Sequence, residues 1–301
     1  MATNDGGLLQ AFDLGSIFAP ARAIEDYMDQ FLDTRPLPEN LRAAIRYSLF
    51  GGGKRLRPIL VVRACEAVGG PAEDAYPAAS AVEMIHCFSL VHDDLPAMDD
   101  DDLRRGRPTL HKQTNEVMAI LAGDAMMALA FELITSRIGD PQLSSHIARE
   151  LSIAANDMIS GQVYDTLPQL SAEEDPLERL GMIHRHKTAA LIRAACRMGA
   201  ICGGCSVSQL DALTQYAEFV GLMFQVVDDL LDVTATTEQL GKTAGKDAAQ
   251  AKLTYPSLLG IEQSREEVDR LYREAIAALQ PLGPRAQPLH DLSDYMAVRD
   301  R

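Results

Sequence analysis

Residues 82–107 read VEMIHCFSLVHDDLPAMDDDDLRRGR, an apolar segment that runs directly into an acidic one. Apolar side chains in residues 82–91 recur at helical spacing, so we predict a core helix that ends near Asp93. Six carboxylates then fall within ten residues, and arginines follow them. Carboxylates this close repel one another unless cations neutralise them. The stretch therefore predicts a helix whose end carries a charged site.

The rest of the chain favours helices over strands. It has 301 residues without tryptophan, and only 5% of them are aromatic. Apolar residues recur at three- and four-residue spacing in several segments, some apolar on more than one face. We therefore predict an all-α fold, a single large helical bundle in one domain, residues 1–301, because no long linker interrupts it. The predicted helices are 19–32, 39–50, 58–68, 75–92, 114–137, 144–161, 176–198 and 208–231.

The charge balance restricts the partners. The 43 acidic residues against 28 lysines and arginines give a formal charge of -15. Such a charge repels nucleic acid and anionic lipid at long range, so we expect neither nucleic-acid binding nor stable membrane insertion. An anionic small molecule would need a local basic pocket or bridging metal ions.

Cysteine usage and the N-terminus predict a cytoplasmic protein. Five cysteines, an odd number over so long a chain, do not form the dense framework of a small secreted domain. The first ten residues lack a basic segment followed by an apolar core. We also expect no uninterrupted apolar run long enough to span a bilayer.

The acidic stretch has the chemistry of a magnesium or calcium site. Carboxylate oxygens are hard ligands, and magnesium typically joins one or two carboxylates to substrate phosphates. Asp93, Asp94 and Asp99 can converge only if the backbone bends at Pro96, which cannot continue a regular helix. Neighbouring arginines can hold a phosphate through paired hydrogen bonds. The alternative is a solvated acidic loop.

A second acidic cluster closes another apolar helix. Asp228 and Asp232 are four residues apart and share a helix face, which allows them to hold one cation between them. Alone, such a pair is often an ordinary helix-end charge. Two clusters in one all-α chain predict facing acidic walls that bind a metal diphosphate across a cavity.

Cationic residues supply candidates for the diphosphates themselves. Residues 51–58 read GGGKRLRP and place Lys54 and Arg57 between a glycine turn and a helix start, which is a potential anion site. His86 lies two helical turns before Asp93 on nearly the same face. Surface lysines and a core histidine are the alternatives. Further cations occur at Lys187, Lys242 and Lys252.

Taken in this order, the motifs resemble those of the short-chain trans-prenyl diphosphate synthases, particularly bacterial farnesyl diphosphate synthases, over residues 42–259. The resemblance implies an isoprenoid synthase-type bundle around a deep central cavity, usually as a homodimer. It implies that Asp93, Asp94 and Asp99 share two magnesium ions and that Asp228 and Asp232 hold a third.

The resemblance also implies roles for the cations. Isopentenyl diphosphate would be held by Lys54, Arg57, His86 and Arg105. The allylic substrate would be held by Arg104, Lys187, Thr188, Gln225, Lys242 and Lys252. The basic chain end, residues 299–301, is left unassigned.

The implied reaction joins isopentenyl diphosphate to dimethylallyl or geranyl diphosphate. Phe88 and Ser89, one turn deeper than Asp93, are the candidate chain-length residues, and an aromatic residue at Phe88 predicts farnesyl diphosphate as the product. Phe88 as plain core packing is the alternative. A geranylgeranyl diphosphate synthase, a class I terpene cyclase and a non-catalytic regulatory subunit remain alternative functions.

Overall fold

The structure, a computed structural model, describes residues 13–167, 175–234 and 253–299. Nearly all regular elements there are helices, so the all-α prediction is confirmed. The first half of the chain forms α1 Leu14–Phe18, α2 Pro20–Asp33, α3 Glu39–Leu49, α4 Leu56–Val68, α5 Tyr76–Asp93, α6 Leu110–Gln113 and α7 Glu116–Arg137. The second half forms α8 Pro141–Thr166, α9 Pro176–His184, α10 Ala190–Cys202, α11 Val207–Thr234, α12 Tyr255–Leu259, α13 Ile261–Leu279 and α14 Gln287–Val298.

Shorter elements join these helices. A 3-10 turn, Ala72–Ala75, precedes α5, and another, Gln280–Ala286, precedes α14. A π-helical turn, Arg185–Ala189, separates α9 from α10. The strands β1 Leu103–Arg104 and β2 Arg107–Pro108 form a two-residue antiparallel hairpin directly after the acidic stretch. The hairpin and the π turn both contain residues predicted to bind substrate.

Helix α5 is the central helix that positions the site. It is buried on nearly every face, and α4, α7 and α10 pack around it. Its partner α7 presents Ala119, Ala122 and Gly123 to the interior, and such small side chains allow two helices to approach closely. The buried part of α5 holds its half-buried end, Asp93, at a fixed place on the bundle.

Helix α7 is apolar for its whole length. Among the residues that the structure describes, it is the one helix long and apolar enough to cross a membrane, although 44% of its most apolar window is buried inside the bundle. The core helices of soluble proteins meet the same criterion. The packing against α5 accounts for much of this apolar character, and no membrane insertion is evident.

Candidate active site

The acidic stretch folds back on itself beyond α5. The Asp99 backbone N–H donates to the Asp93 carbonyl oxygen at 2.9 Å, and the Asp101 N–H donates to the Asp94 carbonyl oxygen at 3.2 Å. Asp100 adopts a left-handed conformation with φ of 49° between these two hydrogen bonds. The bend expected at Pro96 is present, and it brings the Asp99 backbone against the end of α5.

Asp93 and Asp94 have different surroundings. Burial raises the pKa of Asp93 to about 6; the nearby Asp99 carboxylate adds to this effect and the Lys187 ammonium opposes it. Asp94 is 3% exposed, and its carboxylate accepts a hydrogen bond from Arg104 Nε at 2.7 Å. Burial also raises the pKa of Asp94, while the Arg104 guanidinium opposes the rise. Asp93 therefore carries a charge that a cation would stabilise.

The β-hairpin turns Arg105 toward the glycine loop. Arg105 and Gly106 form its two-residue turn with φ of 54° and 73°, and the Arg105 guanidinium donates to the Gly52 carbonyl oxygen. A Cβ at Gly53 would lie 2.5 Å from the Arg105 guanidinium carbon, and Gly53 also has a φ of 113°. The glycine loop therefore provides the space that the Arg105 side chain fills.

A basic cavity of about 540 Å³ lies beside this loop. Arg57 donates toward His86 Nε2 at 3.3 Å, and the Arg57 Nε is buried without a hydrogen-bond partner. Burial, followed by the Arg57 charge, lowers the pKa of His86 well below its usual value. Lys54 Nζ lies 5.2 Å from the centroid of the Tyr295 ring. The cavity lining includes all four predicted isopentenyl diphosphate residues, namely Lys54, Arg57, His86 and Arg105.

Arg55 has a structural role within the same motif. It is 4% exposed, and it donates to Glu25 at 2.6 Å, to Glu83 at 3.0 Å and to the Leu49 carbonyl oxygen at 2.6 Å. These partners consume most of its donors, so the guanidinium holds the glycine loop against α5.

The second acidic cluster lies near the end of α11. Asp228 accepts a hydrogen bond from Arg299 at 2.5 Å. Asp229 is 6% exposed and accepts from the Tyr255 backbone N–H at 2.9 Å, so it anchors the first residue of α12. Asp232, one turn after Asp228, is also buried. Asp229 therefore supports the fold, whereas Asp228 and Asp232 stay the candidate ligands predicted from the sequence.

An apolar cavity of about 480 Å³ opens between α5 and α8. Its α5 wall carries Asp93 at the rim and both predicted chain-length residues, Phe88 and Ser89. Lys187 and Thr188 of the π turn also line it, and Arg57 and His86 line both this cavity and the basic one. The two cavities therefore meet at one pair of side chains.

The π turn is seated on α8. Lys187 donates to Asp165 at 2.6 Å, and Thr188 donates to the Gln225 side chain. A Cβ at Gly161 would lie 2.2 Å from the Lys187 backbone nitrogen, so only glycine lets α8 approach this closely. Lys187 also interacts electrostatically with Asp93 and Asp99, so its charge lies near these two carboxylates.

The donor set suits magnesium. In the described ranges, no three carboxylate, imidazole or thiol groups already converge on one point. Magnesium usually takes one or two carboxylates and completes its shell with water and phosphate oxygens. Asp93, whose pKa burial raises to about 6, offers such a ligand at the cavity rim. The residues therefore fit a cation that arrives together with a diphosphate.

Nine predicted site residues line the two cavities, namely Lys54, Arg57, His86, Phe88, Ser89, Asp93, Arg105, Lys187 and Thr188. Asp94 and Arg104 line a smaller neighbouring cavity. Asp99, Asp228, Asp232 and Gln225 are not among the residues that line these three cavities. Lys242 and Lys252 lie outside the described residues.

Three residues near the site were not predicted from the sequence: Arg299 and Tyr295, which line the basic cavity, and Asp165, the partner of Lys187. The two arginines at the end of the sequence, at positions 299 and 301, were the one feature that could have indicated Arg299 as a site residue. Nothing in the sequence signalled Asp165, because its contact depends on how α8 packs.

Known proteins resemble this chain along most of its length. The polyprenyl synthetase family model matches residues 38–281. Geranylgeranyl pyrophosphate synthase 11, a chloroplastic protein of Arabidopsis thaliana, is 51% identical over 271 residues, which cover 87% of this chain and 75% of that protein.

Solved structures agree with these sequence matches. An FPP/GFPP synthase from Zymomonas mobilis is 35% identical with a TM-score of 0.82, and it covers 94% of this chain and 99% of its own. Geranylgeranyl pyrophosphate synthetase from Pyrococcus horikoshii is 29% identical with a TM-score of 0.84, covering 95% and 98%. These matches confirm the isoprenoid synthase-type fold. The chain therefore belongs to the polyprenyl synthetase family, whose members are trans-prenyltransferases.

Proposed function

We propose that this chain is a magnesium-dependent prenyltransferase, a single domain over residues 1–301, that extends an allylic diphosphate with isopentenyl diphosphate to geranylgeranyl diphosphate. One observation carries the proposal: a basic cavity and an apolar cavity with an acidic rim meet at Arg57 and His86. Two diphosphate substrates bound in these cavities would have their reacting carbons near this junction. Such positioning accounts for a large part of catalysis in a condensation.

Acidic and basic side chains have different proposed roles at the allylic diphosphate. Asp93, Asp94 and Asp99 on one wall and Asp228 and Asp232 on the other would hold up to three magnesium ions. When bound, magnesium neutralises the allylic diphosphate and stabilises the charge that develops as it leaves. Arg104 and Lys187, with Lys242 and Lys252, would hold the same diphosphate.

The remaining residues bind the second substrate and shield the allylic cation. Lys54, Arg57, His86 and Arg105 would bind isopentenyl diphosphate in the basic cavity, with its double bond directed at the allylic carbon. Three oxygen-bearing groups would stabilise the allylic cation without forming a bond to it. They are the Lys187 carbonyl oxygen and the side chains of Thr188 and Gln225, which are hydrogen-bonded to each other. The departing diphosphate is the base that we propose for the final proton.

The proposed product is the one that the names of the relatives indicate. The sequence of the chain predicted farnesyl diphosphate, but the 51% identical Arabidopsis protein is named a geranylgeranyl pyrophosphate synthase. The Catharanthus roseus protein, 47% identical over 97% of this chain, has the same name. Farnesyl diphosphate stays the second candidate, because the Phe88 ring lines the apolar cavity one turn below Asp93. A basic cavity for a second diphosphate weighs against a terpene cyclase.

We also propose a homodimer. Apolar side chains are exposed along one side of α7 and α8, where a soluble monomer would expose polar ones. A second copy of the same surface would cover them in a symmetric contact. The exposed residues are Val117, Ile120, Leu121 and Ile153. Light scattering during gel filtration should give twice the chain mass, and the mass of a monomer would contradict the proposed homodimer.

A cytoplasmic location stays a prediction.

The proposed reaction is tested by incubating purified protein with magnesium, isopentenyl diphosphate and either dimethylallyl, geranyl or farnesyl diphosphate. Chromatography after phosphatase treatment identifies the alcohols. Geranylgeraniol that disappears with a chelator supports the proposal. Farnesol as the end product would support a farnesyl diphosphate synthase instead. Cyclised hydrocarbon, or no magnesium-dependent product, would contradict chain elongation.

A further inference from the structure

The Phe88 ring in the apolar cavity is supported from one side by His92. The two residues are four apart on α5, and their rings meet edge to face with centroids 5.8 Å apart and planes at 83°. Both side chains line the apolar cavity. Edge-to-face contacts favour a definite ring orientation. The His92 imidazole therefore restricts how the Phe88 ring can lie across the cavity.

Helix α7 in turn fixes the His92 ring. His92 Nε2 lies 3.1 Å from the Ile120 carbonyl oxygen, and because that oxygen only accepts, the imidazole donates its hydrogen there. At Gly123, which faces α5, a Cβ would lie 2.1 Å from the same nitrogen. The imidazole thus occupies the space that a side chain at Gly123 would fill. Both the hydrogen bond and this close contact keep the ring in one place.

This arrangement limits the alternatives open to Phe88. An aromatic side chain on a helix has two common χ1 rotamers, which direct the ring to different sides. The imidazole stands beside the ring and takes up space on the side toward α7. Without it, the Phe88 ring would gain room to swing out of the cavity, and the apolar space below it would open.

We propose that His92 is a positioning residue that sets product length by holding the Phe88 ring across the apolar cavity. The inference rests on the proposed function, since product length has a meaning only for a chain-elongating enzyme. His92 acts through Phe88 and not as a wall of its own. Removing the imidazole should therefore have the same consequence as removing the Phe88 ring.

The test is a double-mutant comparison of product length with magnesium, excess isopentenyl diphosphate and a fixed allylic starter. His92→Ala should raise the proportion of products longer than the main wild-type product by about tenfold, the scale on which apolar pockets discriminate small changes in size. Phe88→Ala should do the same, and the double variant should match Phe88→Ala alone. His146→Ala, at an exposed histidine on α8, should keep the wild-type distribution.

A second pair of variants tests the α7 contact without changing His92. Gly123→Ala should expel the imidazole and lengthen the products. Gly139→Ala, where a Cβ would meet nothing within 4 Å, should leave them unchanged. Thermal unfolding verifies that each variant is folded.

Two outcomes would overturn the inference while the wild type still elongates chains. One is a wild-type distribution for folded His92→Ala when Phe88→Ala lengthens the products. The other is a double variant with clearly longer products than Phe88→Ala, which would make His92 a wall in its own right. If the wild-type protein forms no elongated product, the proposed function itself fails.

Discussion

Arg299 donates a hydrogen bond to the Asp228 carboxylate at 2.5 Å and, with the same nitrogen, to the Phe224 carbonyl oxygen at 2.9 Å. Its guanidinium carbon also lies 3.7 Å from the centroid of the Phe224 ring. Arg299 lines the basic cavity, and Asp228 is a proposed magnesium ligand on α11. This pair therefore connects the end of α14 with both the basic cavity and a proposed metal ligand.

Replacing Arg299 should weaken isopentenyl diphosphate binding. Arg299 lines the basic cavity, so its guanidinium places a positive charge beside a diphosphate bound there. Losing a hydrogen bond to a charged group costs about 1.5–3 kcal/mol, so Arg299→Gln should raise the KM for isopentenyl diphosphate about tenfold or more. Steady-state kinetics measures this. Arg22→Gln, at an exposed arginine, is the control. An unchanged KM would exclude Arg299 from the site.

Asp93→Asn should abolish most catalysis and leave the fold intact. The change keeps the shape of the side chain but removes the charge that would hold magnesium at the rim, so turnover should fall by about 10²–10³ or more. Since burial raises the pKa of Asp93 to about 6, its charge costs folding energy, and the variant should melt no lower than the wild type. Asp26→Asn, at an exposed carboxylate, is the control. Near-normal turnover would remove Asp93 from the mechanism.

Replacing Lys54 and replacing Lys187 should weaken the binding of different substrates. Lys54 lines only the basic cavity, whereas Lys187 lines the apolar cavity near Asp93. Lys54→Ala should mainly raise the KM for isopentenyl diphosphate, and Lys187→Ala should mainly raise the KM for the allylic substrate. Varying each substrate at saturating levels of the other separates the effects. The reverse pattern would exchange our two site assignments.

His184 should make stability depend on pH. Burial lowers its pKa to about 4, compared with 6.5 for an ordinary histidine. Between these values the unfolded chain binds a proton that the folded chain does not, so stability is complete above pH 6.5 and falls as the pH falls toward 4. His184→Gln should reduce the loss of unfolding free energy between about pH 7.5 and about pH 5 by about 2 kcal/mol.

Urea unfolding at the two pH values measures the His184 contribution. The comparison uses the difference between the two pH values within each variant, so a constant stability change from the substitution cancels. His146→Gln, at an exposed histidine, should keep the wild-type pH dependence. If His184→Gln and the wild type lose the same unfolding free energy between the two pH values, a group other than His184 titrates.

The sequence predicted the features that depend on local spacing. Helical periodicity placed α5 and its end near Asp93, and Pro96 indicated the bend that follows. Glycines before Lys54 indicated a turn, and Gly52 and Gly53 do adopt positive φ there. These features follow from the preferences of neighbouring residues, which a sequence displays directly.

Features that depend on packing between distant elements could not be predicted. Arg55 resembles its neighbours in the basic motif, but Glu25 and Glu83 reach it only after α2 and α5 pack together. The contact of Lys187 with Asp165 likewise needs the π turn to rest on Gly161. The orientation of the Phe88 ring, which we propose sets product length, is likewise not fixed by residue identity alone.

Product analysis of the purified protein is the decisive test of whether this chain forms geranylgeranyl diphosphate. With magnesium, excess isopentenyl diphosphate and farnesyl diphosphate as the starter, we expect conversion to geranylgeranyl diphosphate, detected as geranylgeraniol after phosphatase treatment and lost with a chelator. Farnesyl diphosphate that remains unextended, while geranyl diphosphate is converted to it, would contradict the proposed product. No extension of any allylic starter would contradict the proposed reaction.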